Sequence, residues 1–206
     1  MATSFISNKA IHDALDSEFA TVYAALFLFN GVAFTATNAT ERINKTSHGL
    51  ANGTCVMLKA VGTLPTGLSE GVLYFVINQT TNDFQLSLTS GGSAVTFSDD
   101  GTGANEYSVV PTLAGTGGTE ASAGGYARQA VTMAAAANRA KSSSADVSWT
   151  ASGANIGVVC AVALFDASSG GNLETLDPQA TYQNVLDGNT FRVSSGNVVV
   201  SLANLS

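Results

Sequence analysis

The sequence predicts an all-β protein, an antiparallel β-sandwich with a short N-terminal helix and an inserted small β-barrel or sandwich module, and three observations carry that prediction. The 206 residues include 21 Gly and only 3 Pro, and Ser, Thr and Asn are abundant, which is the composition of short strands joined by tight polar turns. Apolar residues make up 45% and charged residues 11%, the latter well under the roughly 25% of an ordinary soluble domain. Apolar runs of strand length recur between turn signals along most of the chain. The length fits one large β domain or two small ones, and the sparse charge suits a protein covered by neighbours.

Taken in order, residues 8–17 place Ile11, Ala14 and Leu15 at helical spacing, with Asn8 as the expected N-cap, and so predict a short amphipathic helix whose apolar stripe lies on the adjoining sheet or on another subunit. The run Thr21–Phe29, closed by Asn30-Gly31, reads as a buried strand, with a second helix as the competing reading because Ala24, Ala25 and Leu26 tolerate one. From residue 32 to about 111 the texture changes to short strands divided by Gly, Asn and Pro turns. Candidates are Cys55–Val61, Val72–Gln79, Asp83–Thr89 and Ala94–Phe97, which together make a separate small module.

Residues 112–125 hold many glycines and almost no bulky side chains, which predicts a flexible linker or long exposed loop. Beyond them Tyr126–Met133, Ala145–Trp149, Asn155–Phe165, Thr190–Val193 and Asn197–Leu202 read as strands of a second unit. The alanine run 134–140 is expected as a loop with helical character. The domain boundaries that follow are 1–31 with 112–206 for a discontinuous anchoring sandwich and 32–111 for the inserted module.

Charge and motif content narrow the function. A formal net charge of −7 removes the electrostatic attraction to phosphate on which nucleic-acid binding rests. No run reaches the roughly 20 apolar residues of a membrane span, and no signal peptide is visible, so synthesis in a cytoplasm is expected. The Asn38, Asn44, Asn52 and Asn78 sequons then read as turn composition. Cys55 and Cys160 form no CxxC pair; Cys160 reads as a buried hydrophobe of its strand, and an intersubunit disulfide through Cys55 has no support.

Only His12 and His48 are present, neither beside a nucleophile motif, and Asp99-Asp100-Gly101 reads as a turn before it reads as a paired-carboxylate or calcium site. Trp149, Tyr126 and Phe165 are expected to share the C-terminal core, while Tyr74, Phe75 and Phe84 stay open as a sugar-binding surface. No catalytic, cofactor or metal residues are assigned, and the chain is expected not to be an enzyme.

Four patterns in the C-terminal half, Gly124-Gly-Tyr-Ala-Arg-Gln-Ala-Val131, Ser144-Ala-Asp-Val-Ser-Trp149, Leu164-Phe-Asp-Ala-Ser-Ser-Gly-Gly-Asn-Leu173 and Leu186-Asp-Gly-Asn-Thr-Phe-Arg192, resemble those of small phage tail-fibre and tail-fibre-adaptor proteins. The helix followed by Val22-Tyr-Ala-Ala-Leu-Phe27 is similar to the opening of that family. Some 80 further residues intervene, and their patterns Ser47–Gly53, Gly62–Leu68, Leu73–Ile77 and Asp83–Leu86 resemble a β module found in phage tail and virion proteins.

The resemblance implies a structural virion component, assembled in the host bacterial cytoplasm, without catalytic residues or cofactor. Its partners would be other virion proteins, of the tail or adaptor or the major capsid protein, and further copies of itself, with a trimer expected. The module would project as a knob and dock by strand edges. Capsid decoration and binding of a host surface glycan are the rival readings.

Overall fold

The computed structural model describes residues 8–112 and 114–201. The chain is mostly β, in antiparallel sheets, with a single α-helix among the described residues. That helix, α1 (Asn8–Glu18), turns Ile11 and Leu15 into the core with Phe19 just beyond its end. The side chain of Asn8, the expected cap, lies outside the described residues, as does Leu202 at the end of the last predicted strand.

The C-terminal carbonyls of α1 receive no basic residue from the helix itself. Lys141, 6% exposed, supplies one from across the fold, donating to Phe19 O at 3.0 Å and Asp16 O at 3.5 Å. A cation there meets both the orphan carbonyls and the negative end of the helix dipole.

Strand β1 (Val22–Leu28) follows, a strand and not a second helix. Seven short strands come next: β2 (Val32–Ala33), β3 (Thr35–Thr37), β4 (Arg42–Asn44), β5 (Cys55–Lys59), β6 (Tyr74–Ile77), β7 (Asp83–Ser87) and β8 (Glu106–Val109). They form one sheet in the order β2-β8-β5-β6-β7-β4-β3. Its two end strands are consecutive pieces of chain separated only by Phe34, so the sheet curls back on itself around an apolar centre that includes Phe34, Ile43, Leu58, Tyr74, Phe84 and Tyr107.

The barrel expected for residues 32–111 is therefore not closed, because the stretch that meets both ends cannot ladder with itself. Residues 94–97, expected as a strand, run beside β7 with a single bond from Val95 N–H to Leu86 O (2.7 Å) and bury Phe97 as a lid over that centre.

The rest of the chain supplies β9 (Gln129–Val131), β10 (Ala140–Ser142), β11 (Val147–Thr150), β12 (Gly157–Phe165), β13 (Leu173–Val185), β14 (Thr190–Val193) and β15 (Val199–Ser201). A four-stranded sheet runs β13-β12-β1-β9, and the ribbons β10-β15 and β11-β14 complete the set. The alanine run ends in a two-residue hairpin instead of a helix: Ala137 and Ala140 exchange backbone bonds of 2.8 and 2.9 Å across Asn138 and Arg139, both at positive φ.

Sequence pattern and burial now agree for the two most apolar strands. On β1, Val22, Ala24 and Leu26 face a core shared with α1 and the ribbons, while Ala25 and Phe27 face the seven-stranded sheet. On β12, Val159, Val162 and Leu164 take the first side, and Cys160, Ala163 and Phe165 the second. Strands buried on both faces lose the alternation of a half-exposed strand and read as continuous apolar runs. Trp149 belongs to the first core, where its ring lies 6.0 Å from Phe191, and Phe165 to the second, so the expected shared core of Trp149 and Phe165 is corrected: opposite faces of one sheet separate them.

Candidate functional site

Two constructions tie distant parts of the chain together, and both lie along the second face of the four-stranded sheet. The first is the seam with the seven-stranded sheet. Cys55, Met57 and Val110 from one side meet Ala25, Phe27, Phe29, Cys160, Ala163, Phe165 and Leu173 from the other, all under 9% exposed. At about 1.5–3 kcal/mol for each large apolar side chain removed from water, the six such residues stabilise the seam by on the order of 10 kcal/mol before entropy is counted.

Strand β13 adds a polar clasp. Its register against β12 steps from Val159 opposite Gln183 to Ala161 opposite Pro178, so residues 179–182 bulge from the ladder. From that bulge the Tyr182 hydroxyl donates to Leu58 O at 2.6 Å and accepts from Gly71 N–H at 3.5 Å, while its ring stacks on Phe29 at 5.0 Å. Gly71 sits at φ +71°, and a Cβ there would lie 2.6 Å from Ala180 Cα, so no larger residue fits under the bulge.

The second construction is a staple centred on Arg128. Its guanidinium grips Glu120 with two bonds, Nε to Oε1 at 2.8 Å and Nη2 to Oε2 at 2.7 Å. It donates to Ala167 O at 3.0 Å and Gly170 O at 2.6 Å, and lies 3.6 Å from the centre of the Phe165 ring. The Tyr126 hydroxyl donates to Glu120 Oε1 at 2.8 Å and accepts from Leu26 N–H at 3.1 Å. Burial pushes the Glu120 carboxyl up, but the Arg128 and Tyr126 hydrogen bonds outweigh it and hold the group below the usual carboxylate range.

One arginine thus joins the start of β9, the 166–171 loop and the glycine-rich stretch. That stretch is consequently not a free linker. Leu28 N–H donates to Thr119 O and Ala121 N–H to Leu26 O, both at 2.9 Å, so residues 119–121 run along the edge of β1. Gly118 passes where a Cβ would meet Pro111 at 2.7 Å. Order comes from the neighbours' backbone, not from side chains of the stretch itself.

The other candidates resolve into local structure. His12 Nε2 accepts from Arg139 N–H at 3.2 Å, fastening α1 to the hairpin tip. His48 Nδ1 accepts from Leu50 N–H at 3.0 Å, and its ring meets Phe84 edge-on. Asp99 accepts from Gly101 N–H at 2.9 Å and Thr66 N–H at 3.2 Å, and Asp100 from Asn38 N–H at 2.6 Å, which is turn chemistry. Among the described residues no three His, Cys, Asp or Glu side chains cluster as metal ligands.

Tyr74 and Phe84 lie in the centre of the seven-stranded sheet, and Phe75 is half-buried at the seam, so packing takes the three rings held open for sugar binding. Cys55 is 2% exposed, which removes it as the link of an intersubunit disulfide. Burial pushes the Cys160 thiol up to about 12.

Among known families, the model described as Podophage GP4 fiber I protein gp80 aligns with residues 94–201, just over half of the chain. No curated protein and no solved structure matches. The aligned region contains Arg128 and every group it binds, together with β8 to β15, while Leu26, which donates to Tyr126, lies outside it. It begins at Ala94, inside the segment expected to be a separate insertion, and thereby takes in β8 and Val110 at the seam.

Proposed function

The chain belongs to the podophage GP4 fiber I protein gp80 family, a phage tail-fibre family whose members are virion components with a tail-associated structural role, and on that premise we propose that it is a docking and display element of the fibre or of its adaptor. In this reading residues 1–31 and 112–206 form the anchoring sandwich and residues 32–111 the displayed module. The observation that carries it is the family match itself, which coincides with the stapled region.

The apolar seam and the Tyr182 clasp support a displayed module held at a fixed angle, since a joint of this size resists the relative motion expected of loosely linked domains. Mechanical transmission from module to anchor suits a fibre element better than a swivelling arm. The anchor is proposed to assemble as a homotrimer, in line with the closed symmetry of most homo-oligomers; a monomer by light scattering at micromolar concentration contradicts that part.

The functional reading is tested by immunogold labelling of purified particles with antibody against residues 32–111. Label at the tail is expected, and label spread over the head would assign the chain to capsid decoration instead.

A further inference from the structure

The four-stranded sheet and the ribbon layer part company at one side. There, among the described residues, β13 pairs only with β12 and β15 only with β10, and a cavity of about 250 Å³ lies between β12–β13 and the last hairpin. Val162 and Leu164 line it from β12, Leu176 and Asp177 from β13, and Val198 and Val199 from the last hairpin. Val199 is 55% exposed, and Thr175 and Asn197 add polar groups to the lining. The volume falls below the roughly 300–1,000 Å³ of small-molecule sites and suits individual side chains of an extended segment.

Asp177 is the one charged residue on the lining. It has no cationic partner among the described residues, and its Oδ2 meets only the Gln179 amide, at 3.4 Å. Asp177 is exposed at the mouth of the cavity, where partial desolvation still raises its carboxyl above the usual range, so a cation delivered there gains an unpaired carboxylate. A second copy of this chain is poorly equipped to deliver one: six of its eight Lys and Arg side chains are already in ion pairs, and its net charge is −7. The edge itself is limited, because Pro178 has no N–H to offer and the 179–182 bulge follows, leaving Leu173–Asp177 as the stretch open to pairing.

We propose that this groove seats an extended segment of another virion protein in which an aliphatic residue stands next to a lysine or arginine. The aliphatic side chain fills the cavity between Leu164 and Val199, the cation pairs with Asp177, and the backbone adds to the β13 edge by strand augmentation. The proposal rests on the tail-associated reading above and names the surface and partner chemistry through which that role is performed.

The test places a photo-crosslinking amino acid at Val199, with a control at Leu88, which is 60% exposed in the bend just after β7, and irradiates assembled particles. A link from position 199, absent from position 88, to a Lys- or Arg-containing segment of a different virion protein is expected. In parallel, Asp177→Lys should lower incorporation into particles at least tenfold, whereas Asp187→Lys, an exposed carboxylate beyond the far end of β13, should not; unchanged melting of the purified variants excludes misfolding. Links to a second copy, to residues 202–206 of the same chain or to a segment without a basic residue, or full incorporation of Asp177→Lys, overturn the proposal. Absence of the unmodified chain from tails would sink the functional reading, and the groove with it, whereas a chain present in tails without the link at 199 sinks the groove alone.

Discussion

Replacing Arg128 by alanine should destabilise the protein more than the loss of any one surface charge. The Arg128 side chain is 8% exposed and its partner Glu120 28%. Removing one member of a buried ion pair typically costs about 3–5 kcal/mol, and the partial exposure of Glu120 places this pair at the lower end, about 3 kcal/mol. That figure includes the stacking on Phe165, worth about 1–2 kcal/mol at a desolvated site.

For a chain of this size the shift in melting temperature is about 2–4 °C per kcal/mol, or about 6–12 °C in all. The assay is urea unfolding followed by the fluorescence of Trp149, the only tryptophan. Its indole donates to Ala127 O at 2.9 Å, one residue from the staple. A double-mutant cycle with Glu120→Gln should return a coupling of about 2 kcal/mol. Acid tests the same contact: the Glu120 carboxyl is depressed from its ordinary 4.5, so its contribution is present above pH 4.5 and is lost as the pH falls through the lower folded value. A loss under about 0.5 kcal/mol for Arg128→Ala, the range of ordinary surface substitutions, would refute the staple as an organising contact.

Three further outcomes follow from the geometry. At the clasp, Tyr182→Phe should cost about 1 kcal/mol for the hydroxyl's bond to Leu58, and Gly71→Ala at least about 2 kcal/mol because positive φ and the approach of Ala180 act together, both read from urea midpoints. Cys55 and Cys160 should resist alkylation at pH 8 in the folded protein and react fully in denaturant, as counted by mass spectrometry; rapid labelling of the native chain would contradict the buried seam. Lys141→Met should loosen α1, costing about 2–3 kcal/mol and opening residues 8–20 to limited proteolysis, while Lys9→Ala, which breaks an exposed pair with Asp13, should change stability by under about 0.5 kcal/mol.

What could be read from the chain alone depended on whether the signal was local. The helix at 8–18 was legible because its stripe repeats within two turns, and β1 and β12 because burial on both faces makes an unbroken apolar run. Strand β13, the longest, escaped notice because it lies at a sheet edge: Leu173–Val185 is half-exposed, polar and interrupted by Pro178, which an edge tolerates and a central strand does not. The short strands β2, β3, β4 and β8 carry too few residues to show a period.

The glycine-rich stretch read as flexible since its order is lent by β1 and Pro111. Arg128, quoted within a family-like pattern, had no visible role, because its partners Phe165, Ala167 and Gly170 lie far away in sequence and contribute only a ring face and two backbone carbonyls. The Tyr182 clasp left no trace at all, for a bulge is a property of a pairing register and not of a local composition.

The most direct test of the tail-associated account is the copy number of this chain per purified particle, measured by quantitative mass spectrometry against the major capsid protein. A fibre or adaptor element should be present in a few to a few tens of copies, in a multiple of three if the anchor is trimeric. A count in the hundreds would place the chain on the capsid lattice and contradict the account.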